Sequence, residues 1–165
     1  MEPVDNMSDF GLNITGMKDL QRAIAQLAPE LQNRAYKSVI TEGGRVIQRE
    51  AKSRVARKSG LLRKSINVKG MVFKSGTAHA IIGIKRSVRG TPKTVIGRNG
   101  KSRKVTPTPA NYAHLVEYGT AHSAAAPFMR PAVDATKNTV FAGMVKGLDK
   151  ALSRAVRKIA KTGKR

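Results

Sequence analysis

The sequence has no cysteine, no tryptophan and only ten acidic residues in a chain of 165. Without cysteine there is no disulfide framework, no thiolate metal site and no thiol nucleophile. Four Phe and three Tyr make up the aromatics, too few for a surface that binds nucleic acid by stacking its bases. No apolar run approaches the roughly 20 residues that span a bilayer. Basic helices that lie on membranes usually carry Trp or Phe on their apolar face, so no membrane partner is expected. The acidic opening MEPVDNMSDF does not read as a signal peptide.

What the chain has instead is positive charge. Thirty-two Lys and Arg against ten Asp and Glu give a formal +22. A chain so charged either repels itself or sits on a polyanion, and nucleic acid is the commonest one. The imbalance is concentrated. Between Glu50 and Glu117 there are sixteen basic residues and no acid. Zinc-finger, helix-turn-helix and RNA-recognition patterns are all missing, which leaves sequence-independent attraction for phosphate. The plain alternative is a solvated basic surface with no partner.

Catalytic groups are sparse, and neither an enzyme activity nor a cofactor or metal site is expected. His114 and Glu117 have a His-x-x-Glu spacing that can share a helical face, half of an acid–base or metal constellation. Only Asp134 lies near them as a further acid. The segment Gly97-Arg98-Asn99-Gly100-Lys101-Ser102 ends like a phosphate-binding loop. The spacing of that loop needs glycine where Val95 stands, and no apolar helix follows.

Periodicity predicts one α+β unit. Residues 1–9 read as a tail, Phe10 to Ile14 as a short strand and Thr15-Gly16 as a turn. Met17, Leu20, Ile24 and Leu27 predict a helix ending before Pro29. A second helix then runs to about Val55, with Gly43-Gly44 as a kink or a close packing site. Residues 66–74 alternate as a strand, Ser75 to Thr77 turn, and Ala78 to Ile84 returns. Lys85 to Pro109 is a long loop rich in Gly and Pro, in which Thr94 to Ile96 is a candidate short strand. Its eight cations are Lys85, Arg86, Arg89, Lys93, Arg98, Lys101, Arg103 and Lys104. Tyr112 to Tyr118 fits a short helix or a half-buried strand. From Pro131 a helix of about 30 residues is predicted, laid over the sheet face. The fold class is thus an antiparallel sheet packed by N-terminal helices and a long C-terminal helix.

Two segments carry a resemblance. RKSGLLRKSI at 57–66 and YAHLVEYGTAHSAAAPFMRPAVDA at 112–135 resemble the tail-completion, or neck, proteins of long-tailed bacteriophages. The family's first element is matched by Ser59, Gly60, Leu62, Arg63, Ser65 and Ile66, its second by Tyr112, Ala113, Val116, Glu117, Gly119 and Thr120. Pro127, Phe128, Met129, Arg130, Pro131 and Ala132 match the third, all in the family's order.

The resemblance implies a single tail-completion domain over 10–161, with 85–109 as an extended basic loop and 162–165 as a C-terminal tail. It implies a non-enzymatic virion protein, in the host cytoplasm during assembly, forming a ring, commonly of six copies. Its neighbours would be the head-connector ring, a tail-terminator or tail-tube ring, and packaged DNA held by non-specific phosphate contacts. Ser59, Gly60, Leu62, Ser65, Glu117, Gly119, Thr120, Phe128 and Arg130 would serve the fold or subunit contacts. Phe128 would be a core plug, and Glu117 would pair with Arg130 or Arg63, in its own subunit or the next. The rival reading is a cellular nucleic-acid-binding protein of nucleoid or ribosomal type.

Overall fold

A computed structural model describes residues 17–25, 27, 29–55, 60–73 and 77–162. The expected N-terminal tail and strand, the turn at Thr15-Gly16, Ser59, the tip of the first hairpin and residues 163–165 lie outside them. The described residues form helix α1 (Met17–Ala25), α2 (Pro29–Arg54), α3 (Leu61–Ser65) and strands β1 (Ile66–Val72) and β2 (Ala78–Ile84). Then follow β3 (Lys93–Ile96), β4 (Ser102–Val105), a 3-10 turn at Pro109–Asn111, α4 (Ala113–Tyr118), α5 (Met129–Thr136) and α6 (Val140–Thr162). The α+β reading holds. No helix of the described residues is long and apolar enough to cross a membrane.

Helix α2 organises the rest. Pro29 starts it, where the missing N–H would have no helical partner. Ala35, Val39, Ile47, Ala51 and Val55 keep helical spacing and are buried. The sheet lies against one side of α2, and α6 against another in the most extensive contact between two elements. The principal layer over the sheet is therefore α2, with α6 packed chiefly on α2.

Gly43 and Gly44 are a close packing site that serves both layers. A Cβ on Gly43 would sit 2.8 Å from the Met144 side chain of α6, and one on Gly44 2.9 Å from Val68 of β1. Helix α6 reciprocates with Gly143 and Gly147. A Cβ on Gly147 would come within 2.6 Å of the Val39 Cα and 2.7 Å of the Ser38 carbonyl. Glycines one turn apart let the two backbones approach. Across the same interface Glu42 accepts a hydrogen bond from Lys150 Nζ at 2.7 Å, and within α2 it accepts another from Arg45. The Lys150 hydrogen bond leads the effects that hold this carboxyl below its usual range, against the upward push of burial.

Strands β1 and β2 pair antiparallel from Ile66 with Ile84 to Val72 with Ala78. Ile66 and Gly70 are buried, while Asn67 and Lys69 between them are exposed, as the alternation requires. The main core joins Ile47, Ala51, Val55, Leu62, Ile66, Ala113, Phe128, Ala132 and Val140. A second cluster joins Leu20 and Ile24 of α1 to Ala35 and Val39, with Phe141 and Leu148 packed against it.

Two expectations need correction. The single helix of about 30 residues from Pro131 is two, α5 and α6, broken at Lys137 to Thr139. The Thr136 hydroxyl donates to the carbonyls of Ala132 and Val133, and the Thr139 hydroxyl and amide both donate to the Thr136 carbonyl. Such hydroxyls offer the backbone an alternative to continued helix, and Asn138 between them is a poor helix former. The segment Lys85 to Pro109 is likewise more than a loop. Thr94 to Ile96 lies within β3, which pairs with an unanticipated strand, β4.

Candidate functional site

The chain reverses between α4 and α5, and the reversal is built around one carboxylate. Gly119 ends α4 with its N–H on the Leu115 carbonyl at 2.8 Å and with φ of 79°, a region that favours glycine. A Cβ there would also sit 2.8 Å from the Ala125 nitrogen. Thr120 and Ser123 then exchange backbone hydrogen bonds, the Thr120 hydroxyl accepts from His122 N–H, and Ala126 N–H returns to the Val116 carbonyl. These contacts bring Phe128 back over the last turn of α4.

Phe128 begins α5, and a phenyl ring cannot satisfy the free amides of a helix start. Glu117 does so from eleven residues away. Its Oε2 accepts from the N–H of Phe128 at 2.8 Å and of Met129 at 3.0 Å, and its Oε1 from the N–H of Arg130 at 3.1 Å. Burial alone would push the carboxyl up, but the three amides, led by Met129, and the Arg130 charge hold it below its usual value. Within the subunit, the expected pairing of Glu117 with the Arg130 or Arg63 side chain gives way to this backbone cap. The Arg130 guanidinium stands 4.7 Å over the Tyr118 ring, and Glu117 forms no ion pair among the described residues. Sequence reasoning missed the cap because the acceptor and its helix are separate elements. A lone acid ahead of Pro-Phe and a helix start was the only signal.

Phe128 is 2% exposed and sits in the main core. His114 is exposed and has no hydrogen bond to Glu117, whose oxygens are committed to the amides. His122 is also exposed, while His79 sets its ring edge-on to Phe73. No group of three or more His, Asp and Glu among the described residues could hold a metal ion.

The first motif roots the basic arm. Gly60 has φ of 66° ahead of α3, Leu62 is buried, and the fully buried Ser65 donates its hydroxyl to the Leu62 carbonyl at 2.6 Å. The Ser65 carbonyl accepts the Lys85 N–H at 2.8 Å, and Gln48 holds the Ile66 carbonyl at 2.7 Å. Higher up, Gly90 N–H meets the Pro107 carbonyl at 2.8 Å, closing the arm beside Leu61. The returning chain is fastened by Pro109, which is fully buried.

Beyond that root the arm stands clear of the core as the β3–β4 ribbon. Lys85, Arg86, Arg89, Lys93, Arg98, Lys101, Arg103 and Lys104 are all exposed, and none forms an ion pair among the described residues. The junction and the arm are thus separate surfaces on one core, the first held by buried hydrogen bonds and the second left with free charge.

No curated protein and no solved structure matches the chain. The family model described as "Bacteriophage HK97-gp10, putative tail-component" matches residues 18–119, which takes in α1 from its second residue, α2 to α4, the arm, the first motif and the second as far as Gly119. The chain belongs to the HK97-gp10-like family of bacteriophage tail components.

Proposed function

We propose that this protein is a structural ring subunit of the phage neck, joining the head connector to the tail tube with its basic surface towards the DNA passage. The observation that carries this reading is the arm: eight exposed cations, free of ion pairs among the described residues, on a family of tail components. Such a cluster is stable beside a polyanion, and modest phosphate contacts add up when a ring presents the arm in several copies. Six copies is the number the resemblance favours. The capped junction then acts as a fold and subunit-contact element, and the protein's role is mechanical rather than catalytic. Its neighbours would be the connector ring on one side and a tail-terminator or tail-tube ring on the other.

Images of the neck in assembled particles, with symmetry assigned, test the placement directly. Replacing Lys93, Arg98, Lys101, Arg103 and Lys104 by Ser leaves every core residue in place and should lower head–tail joining or DNA retention. Normal yields of DNA-filled, tailed particles would refute the role of the arm. Tight duplex binding by a free monomer or dimer, with no place in the particle, would favour the nucleoid or ribosomal type of protein instead.

A further inference from the structure

The β3–β4 ribbon carries more than charge. Lys93 pairs with Val105, Thr94 with Lys104, Val95 with Arg103 and Ile96 with Ser102. Residues directly opposite share a face. One face therefore bears Lys93, Val95, Arg103 and Val105, and the other Thr94, Ile96, Ser102 and Lys104. Both faces combine cations with β-branched apolar side chains. Val95 is 43% exposed and Ile96 74%. A sheet that packs on a protein layer sorts its apolar residues to one face. This ribbon does not, and its charge complements phosphate on either side.

We propose that the ribbon enters the major groove of duplex DNA with the more exposed Ile96 face inward, where its cations meet phosphates along both walls and Ile96 touches the base edges, while Val95 lies on the opposite face. The inference rests on the reading that DNA lies beside the arm, and adds how the arm holds it. A two-stranded ribbon fits a groove about 12 Å wide. The leading turn is closed by Gly97 N–H on the Lys101 carbonyl and Gly100 N–H on the Gly97 carbonyl, both at 2.9 Å. It carries Arg98 and Lys101 at the end that would go in first. Asn99 Oδ1 is engaged by Lys101 N–H at 3.3 Å, and the arm has no Gln, Asp or Glu. Matched partners for adenine and cytosine are therefore lacking, and any base preference would fall to Arg98 and Lys101 on guanine.

The test separates apolar contact from charge. The purified full chain is titrated with a short mixed-sequence duplex between about 50 and 200 mM salt. The double variant Val95→Thr, Ile96→Thr keeps β-branching and hence the ribbon, which circular dichroism and the thermal midpoint verify. It should bind about tenfold more weakly at every salt concentration, because apolar contact is lost, with the salt slope unchanged. The five-cation Ser variant should instead flatten the log–log slope by about four. Dimethyl sulfate footprinting should show guanine N7 protected in the major groove by the parent chain. Unchanged affinity in the double variant, or no N7 protection, overturns groove entry. Lost particle assembly in the double variant with DNA binding intact would also overturn it, by assigning the apolar pair to a protein neighbour. Failure of the free parent chain to bind duplex would overturn groove entry too, while the neck-ring reading would still be judged separately by the particle images.

Discussion

Replacing Glu117 by Gln changes one atom and removes the charge that starts α5. The Gln carbonyl oxygen can accept from at most some of the three amides, while its NH2 turns two donors towards donors. Three terms set the size: a lost N-cap costs about 1 kcal/mol, the helix dipole about 0.3–1, and a charged hydrogen bond about 1.5–3. They overlap, since all describe the same carboxylate, so the expected loss is about 2–3 kcal/mol. For a chain of this size that lowers the thermal midpoint by roughly 5–10 °C. The same substitution should impair assembly of the proposed ring by loosening the 119–128 turn.

The pH dependence supplies a second readout of that substitution. The Glu117 carboxyl is held below its ordinary value near 4.5 in the fold. Its contribution is therefore complete above that pH and fades as the pH falls through the folded value. The gap between parent and Glu117→Gln midpoints should be full at neutral pH and should close in acid. Arg130→Ala is the control. It removes the guanidinium over Tyr118 but leaves the N–H that Glu117 caps, so it should cost about 1 kcal/mol or less. Equal midpoints for the parent and Glu117→Gln at pH 7, or an Arg130→Ala loss as large as that of Glu117→Gln, would refute the backbone-cap account.

Other outcomes follow from packing. Phe128→Ala opens the main core and should cost about 3–5 kcal/mol by chemical denaturation. Gly147→Ala gains about 1 kcal/mol of helix propensity but drives a methyl into the α2 backbone. The net change should be destabilising, with α6 amides exchanging hydrogen faster than in the parent. Gly119→Ala meets both a left-handed backbone and the Ala125 nitrogen, and soluble yield and midpoint should both fall. Lys150→Met breaks the ion pair across the α2–α6 interface and leaves Glu42 with only Arg45 of its own helix, and should cost about 1 kcal/mol or less because the pair is partly exposed.

The elements that repeat along the chain were readable in the sequence, and those that depend on distant partners were not. Spacings of three and four placed α1 and α2, alternation placed β1, and the turn signal after it placed β2 as the returning strand. The break before α6 was hidden because Val133 and Val140 keep apolar spacing across it, while the hydroxyls of Thr136 and Thr139 do the breaking. Strand β4 was hidden because Ser102-Arg103-Lys104-Val105 lacks alternation and pairs without burying a face. Glu42 with Lys150, 108 residues apart, and Glu117 with the α5 amides are tertiary choices that charge counts cannot reveal.

The adjacent glycines of α2 have a consequence for how the sequence can change in length. Successive residues on a helix point about 100° apart, and Gly43 and Gly44 use that angle to admit α6 and β1 on different sides. The two layers are thereby phased to each other through a single peptide bond. One residue inserted between these glycines would turn everything beyond it by a further 100°, so that no rotation of α2 could satisfy both neighbours at once. Insertions in the turn between Gly97 and Gly100 would change only the reach of the arm. The part that meets the outside can change length at little cost to the core, and the helix that sets the frame is held to its residue count.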